Sequence, residues 1–344
     1  MRMNSTDYLN YSNYEEYGEL IVQCHFEKYD QITGISIIMI CCFSILGNSM
    51  LIYALARFED LKRATMLFLL SLSVFDMLFT LTLPFWAVDQ LNQWTFGEIM
   101  CKIVTAAYFV GIYGSLILLT AMTVDCFFFV VVRNQWFNRK RRLDCARTAV
   151  AASWIISVGA CLKDALSSKV KIVNSVQSCD KVPSDDDEVG YYAQLVMLFA
   201  VPLLIITLCY GKILHTLLSS SRRRTYRTLL VVLLIIMAFV VCWGPYHVVI
   251  TMMPLHYKQN CEKQNQLYLA FVTCRILAYF HCCINPVLFL IRGRSRKILS
   301  RLLFCQAQQR CTIPSDRSSD PSHFHIHPRF SNPIPQNVTE LKSI

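Results

Sequence analysis

The chain has 344 residues, 54% of them hydrophobic and only 16% charged, with 33 lysines and arginines against 23 acids and a net charge of +10. That balance excludes an ordinary soluble domain of this length and points to a chain that crosses a membrane several times. The positive excess falls in short clusters beside apolar runs, so it belongs to a membrane surface and requires no nucleic-acid partner.

Seven apolar runs reach spanning length, over residues 32–56, 65–88, 102–132, 147–166, 190–218, 227–254 and 265–291. The fold class expected is therefore all-α, a seven-transmembrane helix bundle over 32–291. Arg57, Lys62 and Arg63 follow the first span, and Arg133 with Arg139 to Arg142 the third. Arg222, Arg223, Arg224 and Arg227 follow the fifth, and Arg292, Arg294, Arg296, Lys297 and Arg301 the seventh. By the positive-inside rule these clusters are cytoplasmic, so the amino terminus is expected outside and the carboxyl terminus inside. No cleavable signal is expected in the polar segment 1–31, and the first span serves as its own insertion signal.

The arm 1–31 interleaves Tyr8, Tyr11, Tyr14 and Tyr17 with acids that include Glu15 and Glu16. An acidic, aromatic, unfolded segment suits capture of a basic protein ligand. Asn4 and Asn10 head N-glycan acceptor triplets on the same side, whereas Asn337 matches the motif on the cytoplasmic side and is rejected. A second acidic cluster, Asp185, Asp186, Asp187 and Glu188, lies in the long outer loop after the fourth span and adds to a negative outer surface.

Inside the spans, Asn48 and Asp76 are polar groups that must face the bundle interior. Asp76 is placed to hold a sodium ion with Ser115 and Asn285, or to hydrogen-bond with them directly. Pro84 in Thr82-Leu83-Pro84 kinks the second span, and the threonine is expected to satisfy the carbonyl that the proline frees. The third run, Cys101 to Arg133, is about 45 Å long as a helix and carries one acid, Asp125, so it is the pivot of the bundle. Pro202, Pro245 and Pro286 give hinges in the last three spans.

Cys101 and Cys179 are the expected disulfide on the oxidising side, with Cys24 and Cys261 the other outer cysteines; four thiols allow three pairings. The cysteines within spans read as small apolar fillers. Residues 292–305 form a short basic amphipathic eighth helix expected on the inner leaflet, with Cys305 at its end as a palmitoylation site. The tail 306–344 is low in complexity, and its serines, Ser315 among them, are candidate phosphorylation sites. An enzyme reading finds no nucleophile–base constellation, a transporter reading no inverted repeat, and a retinal-protein reading no lysine within 264–291.

Taken together, these residues resemble the class A G-protein-coupled receptors, and within them the chemokine receptors. Asn48, Asp76, Trp154, Pro202, Trp243-Gly244-Pro245 and Asn285-Pro286 fall in the family's order, one to each helix but the third. Thr82-Leu83-Pro84, Trp94-Thr95-Phe96-Gly97, Cys242-Trp243-Gly244-Pro245-Tyr246 and His281-Cys282-Cys283-Ile284-Asn285-Pro286 are similar to the chemokine branch. The resemblance implies a Cys24–Cys261 staple and a ligand met by the arm, the acidic loop, Trp86, Asp89, Tyr108, Tyr246 and Arg275. Switch residues are implied at Asp125, Cys126, Phe127, Tyr210, Trp243, Pro245, Asn285, Pro286 and Phe289.

Three departures qualify what it implies. The family's third helix ends Asp-Arg-Tyr, but here the sequence is Asp125-Cys126-Phe127, so Asp125 needs another partner, Arg133 or Arg139, or a proton. Phe289 stands where the family has a tyrosine, while Tyr210, its usual counterpart, remains. Arg275 stands where many relatives carry a glutamate that pairs with a ligand's amine, so a ligand's amino terminus meets like charge unless an acid such as Asp89 compensates. The expectation is a plasma-membrane receptor that captures a basic chemokine but couples poorly to its heterotrimeric G protein, as atypical receptors do, with arrestin a further partner and no cofactor beyond the sodium ion. The alternative is a conventional or constitutively active receptor working through altered inner-face contacts.

Overall fold

The computed structural model describes residues 27–132, 138–173, 176–181, 192, 195–218, 223–252 and 261–291. Seven helices follow one another there: α1 (Glu27–Phe58), α2 (Ala64–Leu91), α3 (Gly97–Phe127), α4 (Arg139–Ser167), α5 (Val201–Leu218), α6 (Arg223–Met252) and α7 (Cys261–Ile291). A π-helical turn, Phe128–Val132, extends α3, and another, Val196–Ala200, leads into α5. Six of the helices are long and apolar enough to cross a membrane; within the fifth, the apolar stretch Val201–Thr216 is shorter.

The helices outrun the apolar runs that announce them. The α4 helix begins at Arg139 rather than near 147, because the Asn138 side chain accepts from the Arg141 N–H at 3.0 Å and caps the first turn. The α1 helix begins at Glu27, inside the segment expected to be arm, and Tyr268 Oη donates to Asp30 Oδ1 at 2.9 Å to tie α1 to α7. One element departs from an all-α expectation. Strands β1 (Ser168–Val173) and β2 (Val176–Lys181) form an antiparallel hairpin after α4, with Val170 opposite Cys179.

The third helix is the hub, packing on α2, α4, α5, α6 and the hairpin. Its approach to α2 depends on two glycines. A Cβ on Gly111 would lie 2.7 Å from Phe79 Cβ, and one on Gly114 would fall within the Phe75 ring. Helices in lipid gain close packing from such small residues, since lipid tails are as apolar as leucine. Asn48 fastens α1 to α7 by donating to Cys282 O at 2.8 Å, and it also reaches Ser44 O and Oγ at 3.1 Å.

Pro84 leaves Thr80 O without its helical donor. Thr82 does not serve that carbonyl: its Oγ1 donates to Phe79 O at 2.6 Å, while Cys41 Sγ of α1 donates to Thr80 O at 3.8 Å. A neighbouring helix, not the local threonine, repairs the kink.

Candidate functional site

The outer end is built around the hairpin. Cys101 of α3 is bonded to Cys179 of β2, as expected. Asp89 is fully buried and accepts from Cys179 N at 3.4 Å, so its carboxylate engages the hairpin. Trp94 N donates to Gln177 O at 2.8 Å, and Lys181 Nζ reaches Asp164 Oδ1 of α4 at 3.1 Å. Tyr113 of α3 adds a 3.4 Å bond to Asp164 Oδ2. Neither Asp164 nor Lys181 stood out in the sequence.

Below the hairpin, aromatic rings connect the helices. Trp86 lies 5.9 Å from Tyr108 and Tyr108 lies 6.0 Å from Tyr279, ring centroid to centroid. Tyr108 Oη donates to Tyr279 Oη at 3.2 Å. Arg275 is buried among them; its Nη2 donates to Gln90 Oε1 at 2.6 Å and its guanidinium sits 5.1 Å from the Phe271 ring centre. Tyr246 meets Phe271 at 5.9 Å and Trp243 at 5.7 Å. Trp86, Tyr108, Arg275 and Tyr246 are thus connected through Tyr279, Gln90 and Phe271, whereas Asp89 is turned to the hairpin. Gln90 and Tyr279 are additions that sequence reasoning missed, since an uncharged polar residue within an apolar helix carries little signal.

At mid-bundle Asp76 Oδ1 accepts from Ser115 Oγ at 3.1 Å and Oδ2 from Asn285 Nδ2 at 2.6 Å, which brings the three expected residues together. They line a cavity with His281 that has room for about one water-sized particle. His281 Nε2 stands 3.9 Å from Asp76 Oδ1 and has no hydrogen-bond partner among the described residues, while Nδ1 meets Ala278 O at 2.6 Å. The carboxylate and the Ser115 hydroxyl are hard oxygen ligands that suit sodium. Asn285 presents its N–H side and would add an oxygen on turning. Trp243 packs 5.3 Å from His281 and 6.0 Å from Phe239, and Pro245, two residues on, is exposed.

The inner end corrects one expectation. Asp125 pairs with Arg142 of α4 and not with Arg139: Nε lies 2.8 Å from Oδ1 and 3.0 Å from Oδ2, and Nη2 lies 2.5 Å from Oδ2. Arg142 also reaches Thr65 Oγ1 at 3.5 Å and lies 4.3 Å over the Phe129 ring. Its position one helical turn inside the Asn138 cap aims it at α3. Arg139 is taken by Asp60 at 2.6 Å. The Lys62 backbone N–H, and then Arg139, hold that exposed carboxyl below its ordinary range. Cys126 is 3% exposed, and Phe127 is half-buried. Tyr210 is buried, and its hydroxyl has no hydrogen-bond partner among the described residues.

The arm with Asn4, Tyr8, Asn10, Tyr11, Tyr14, Glu15, Glu16, Tyr17 and Cys24, the acidic loop, Arg133, Cys305 and the segments 292–305 and 306–344 lie outside the described residues. So do the side chains of Cys261 and Phe289.

Seven helices around a disulfide-fastened outer hairpin, a buried mid-bundle carboxylate and an ionic contact at the inner end define a membrane receptor bundle. A family model for the 7 transmembrane receptor (rhodopsin family) matches residues 47–289. Among similar proteins, the human chemokine XC receptor 1 is 30% identical over 282 residues, covering 78% of this chain and 82% of its own length. C-C chemokine receptor type 3 of Cavia porcellus is 30% identical over 268 residues, 75% of each chain. C-X-C chemokine receptor type 1 of Macaca mulatta is 29% identical over 309 residues, covering 86% of this chain and 87% of its own length. The chain belongs to the rhodopsin family of seven-transmembrane receptors, in its chemokine-receptor branch, and is a multi-pass membrane protein rather than an enzyme.

Proposed function

We propose that this receptor captures a basic chemokine at its outer face and couples weakly to heterotrimeric G protein, in the manner of a scavenging receptor. Its amino terminus is outside and its carboxyl terminus cytoplasmic, so the acidic arm and loop face the ligand while the basic inner clusters face lipid headgroups. The relatives' names support the ligand class. The inner end of α3 carries the coupling argument. The residue after Asp125 is a buried thiol rather than a cation, and the acid is held from α4 by Arg142 with both carboxylate oxygens engaged. A partner helix docking there meets no α3 arginine. Arrestin engagement, if the tail is phosphorylated, then serves internalisation. A sodium ion belongs to the same reading, held by Asp76, Ser115 and Asn285. Bound there, it would supply the positive charge that the Asp76 carboxylate and the lone pair of His281 Nε2 both face.

The test follows labelled-chemokine uptake and G-protein activation in the same cells expressing the intact protein. Uptake without activation is expected. The Cys126→Arg and Phe289→Tyr double variant should gain activation; activation by the unaltered protein, or no gain from the double change, would overturn the coupling argument.

A further inference from the structure

The outer hairpin is covered along one edge and open along the other. Trp94 N donates to Gln177 O at 2.8 Å, Gln177 N to Gln93 Oε1 at 3.3 Å and Cys179 N to Asp89 Oδ1 at 3.4 Å. The outer edge of β2 is thus taken by the end of α2 and the turn after it, and Gln177 and Cys179 turn their backbone groups away from β1. In an antiparallel ladder two opposite residues either bond to each other or both face outward. Ile172 stands opposite Gln177 and Val170 opposite Cys179, so their N–H and C=O groups point off the far edge of β1. No hydrogen bond reaches these groups from any of the described residues. The edge is fixed in place, because Ser168 Oγ donates to Asp164 O of α4 at 2.8 Å and the disulfide ties β2 to α3. A fixed row of unpaired N–H and C=O groups is a template for an added strand.

The side chains of β1 select the strand that fits. Lys169 and Lys171 share one face, and Ile172 on the other is 69% exposed. Two lysines repel a second copy of the same strand, and equally a basic ligand. An acidic strand is favoured, and the chain carries one ahead of α1. Residues 1–26 hold Asp7, Glu15, Glu16 and Glu19 against Arg2. Drawn out as a strand, residues 14–20 put Glu15, Tyr17 and Glu19 on one face and Tyr14 and Leu20 on the other. The chain ahead of Glu27 reaches up to roughly 85 Å at about 3.3 Å per residue, whereas three helices side by side span about 30 Å.

We propose that residues 14–20 of the arm dock on the free edge of β1 as a third strand, with their acids beside Lys169 and Lys171. The unliganded receptor then holds its arm on the hairpin. A basic ligand competes with the two lysines for the arm, and capture lifts the arm from the edge. The docking requires the arm on the outer side of the membrane, and neither the ligand class nor the weak coupling proposed above.

The test is hydrogen exchange on the full-length receptor, one copy per nanodisc and without ligand, read by mass spectrometry on peptides covering 168–173. Exchange there should be about tenfold slower in the unaltered protein than in a triple variant with Glu15→Lys, Glu16→Lys and Glu19→Lys, with α3 peptides alike in both. Neutralising the outer loop, with Asp185→Asn, Asp186→Asn, Asp187→Asn and Glu188→Gln, should leave 168–173 protected. Equal exchange in the unaltered protein and the arm variant overturns the proposal. So does loss of protection in the loop variant alone, which would make that loop the occupant, or protection seen only when two receptors share a nanodisc. A water-soluble carbodiimide, which joins an amine to a carboxylate in contact, should link Lys169 or Lys171 to Glu15, Glu16 or Glu19; links to 185–188 alone count against the arm. A bound chemokine should raise exchange at 168–173 to the rate of the arm variant, and unchanged protection in that complex overturns the competition. Failure of every chemokine to bind counts against the proposed function alone, because the docking is measured without ligand.

Discussion

Removing Arg142 is the sharpest test of how the inner end is held. Its guanidinium makes three contacts of 2.5 to 3.0 Å to Asp125, whose carboxylate is 7% exposed while the arginine is 19% exposed. Breaking a fully buried pair commonly costs about 3–5 kcal/mol, because the remaining charge is stranded. Here the arginine is partly reached by water at the helix end, which lowers the expected loss for Arg142→Met to about 2 kcal/mol, or roughly 30-fold in the folded-to-unfolded ratio. Asp125→Asn should cost less, since the freed guanidinium keeps Thr65 and the Phe129 face. The assay is a double-mutant cycle on thermal unfolding in nanodiscs, with Arg142→Met, Asp125→Asn and both. A coupling of about 1–2 kcal/mol is expected. Additivity within about 0.5 kcal/mol would mean that the two residues do not depend on each other, and the inner-end argument would fall with them.

Other consequences are more local. Gly111→Ala would push a methyl against Phe79 and force α3 off α2, losing about 1–3 kcal/mol of stability; an unchanged melting temperature would show that the interface can give way there. Asn48→Ala removes the donor to Cys282 O and should cost about 1–2 kcal/mol, read from the same melts, with no change if α1 is held to α7 by packing alone. If sodium binds at Asp76, replacing choline chloride by sodium chloride at constant ionic strength should raise the melting temperature of the unaltered protein but not of Asp76→Asn; identical curves in both salts would remove the ion.

The helices were legible because spans of lipid-facing leucine, isoleucine and phenylalanine advertise themselves, and Asp76, Ser115 and Asn285 met as expected because buried polar groups in a membrane have few places to go. Their ends were less legible, since α4 starts at a polar cap that hydropathy does not register. The hairpin was hidden in what read as a loop, although the alternation across Lys169-Val170-Lys171-Ile172 was its one local signal. Arg133 and Arg139 were the partners expected for Asp125, but Arg142 arrives because of the rotation of α4, which no pattern in the sequence specifies. The cluster at Arg275 was half legible. The cation was obvious, but Gln90 and Tyr279 matter through orientation, which only the packing of α2 against α7 sets.

Two of the three departures from the family pattern change where charge is placed. At the inner end the cation beside Asp125 is still present, but its backbone attachment has moved from α3 to α4. Arg142 reaches Asp125 with its stem anchored in the first turns of α4, its plane over Phe129 and its edge at Thr65, so leaving the acid breaks several contacts together. Asp125 is thus held from α4 through several contacts of Arg142 at once. Restoring Cys126→Arg alone would then be a weaker gain than restoring it with Arg142→Met, since Asp125 would otherwise remain claimed.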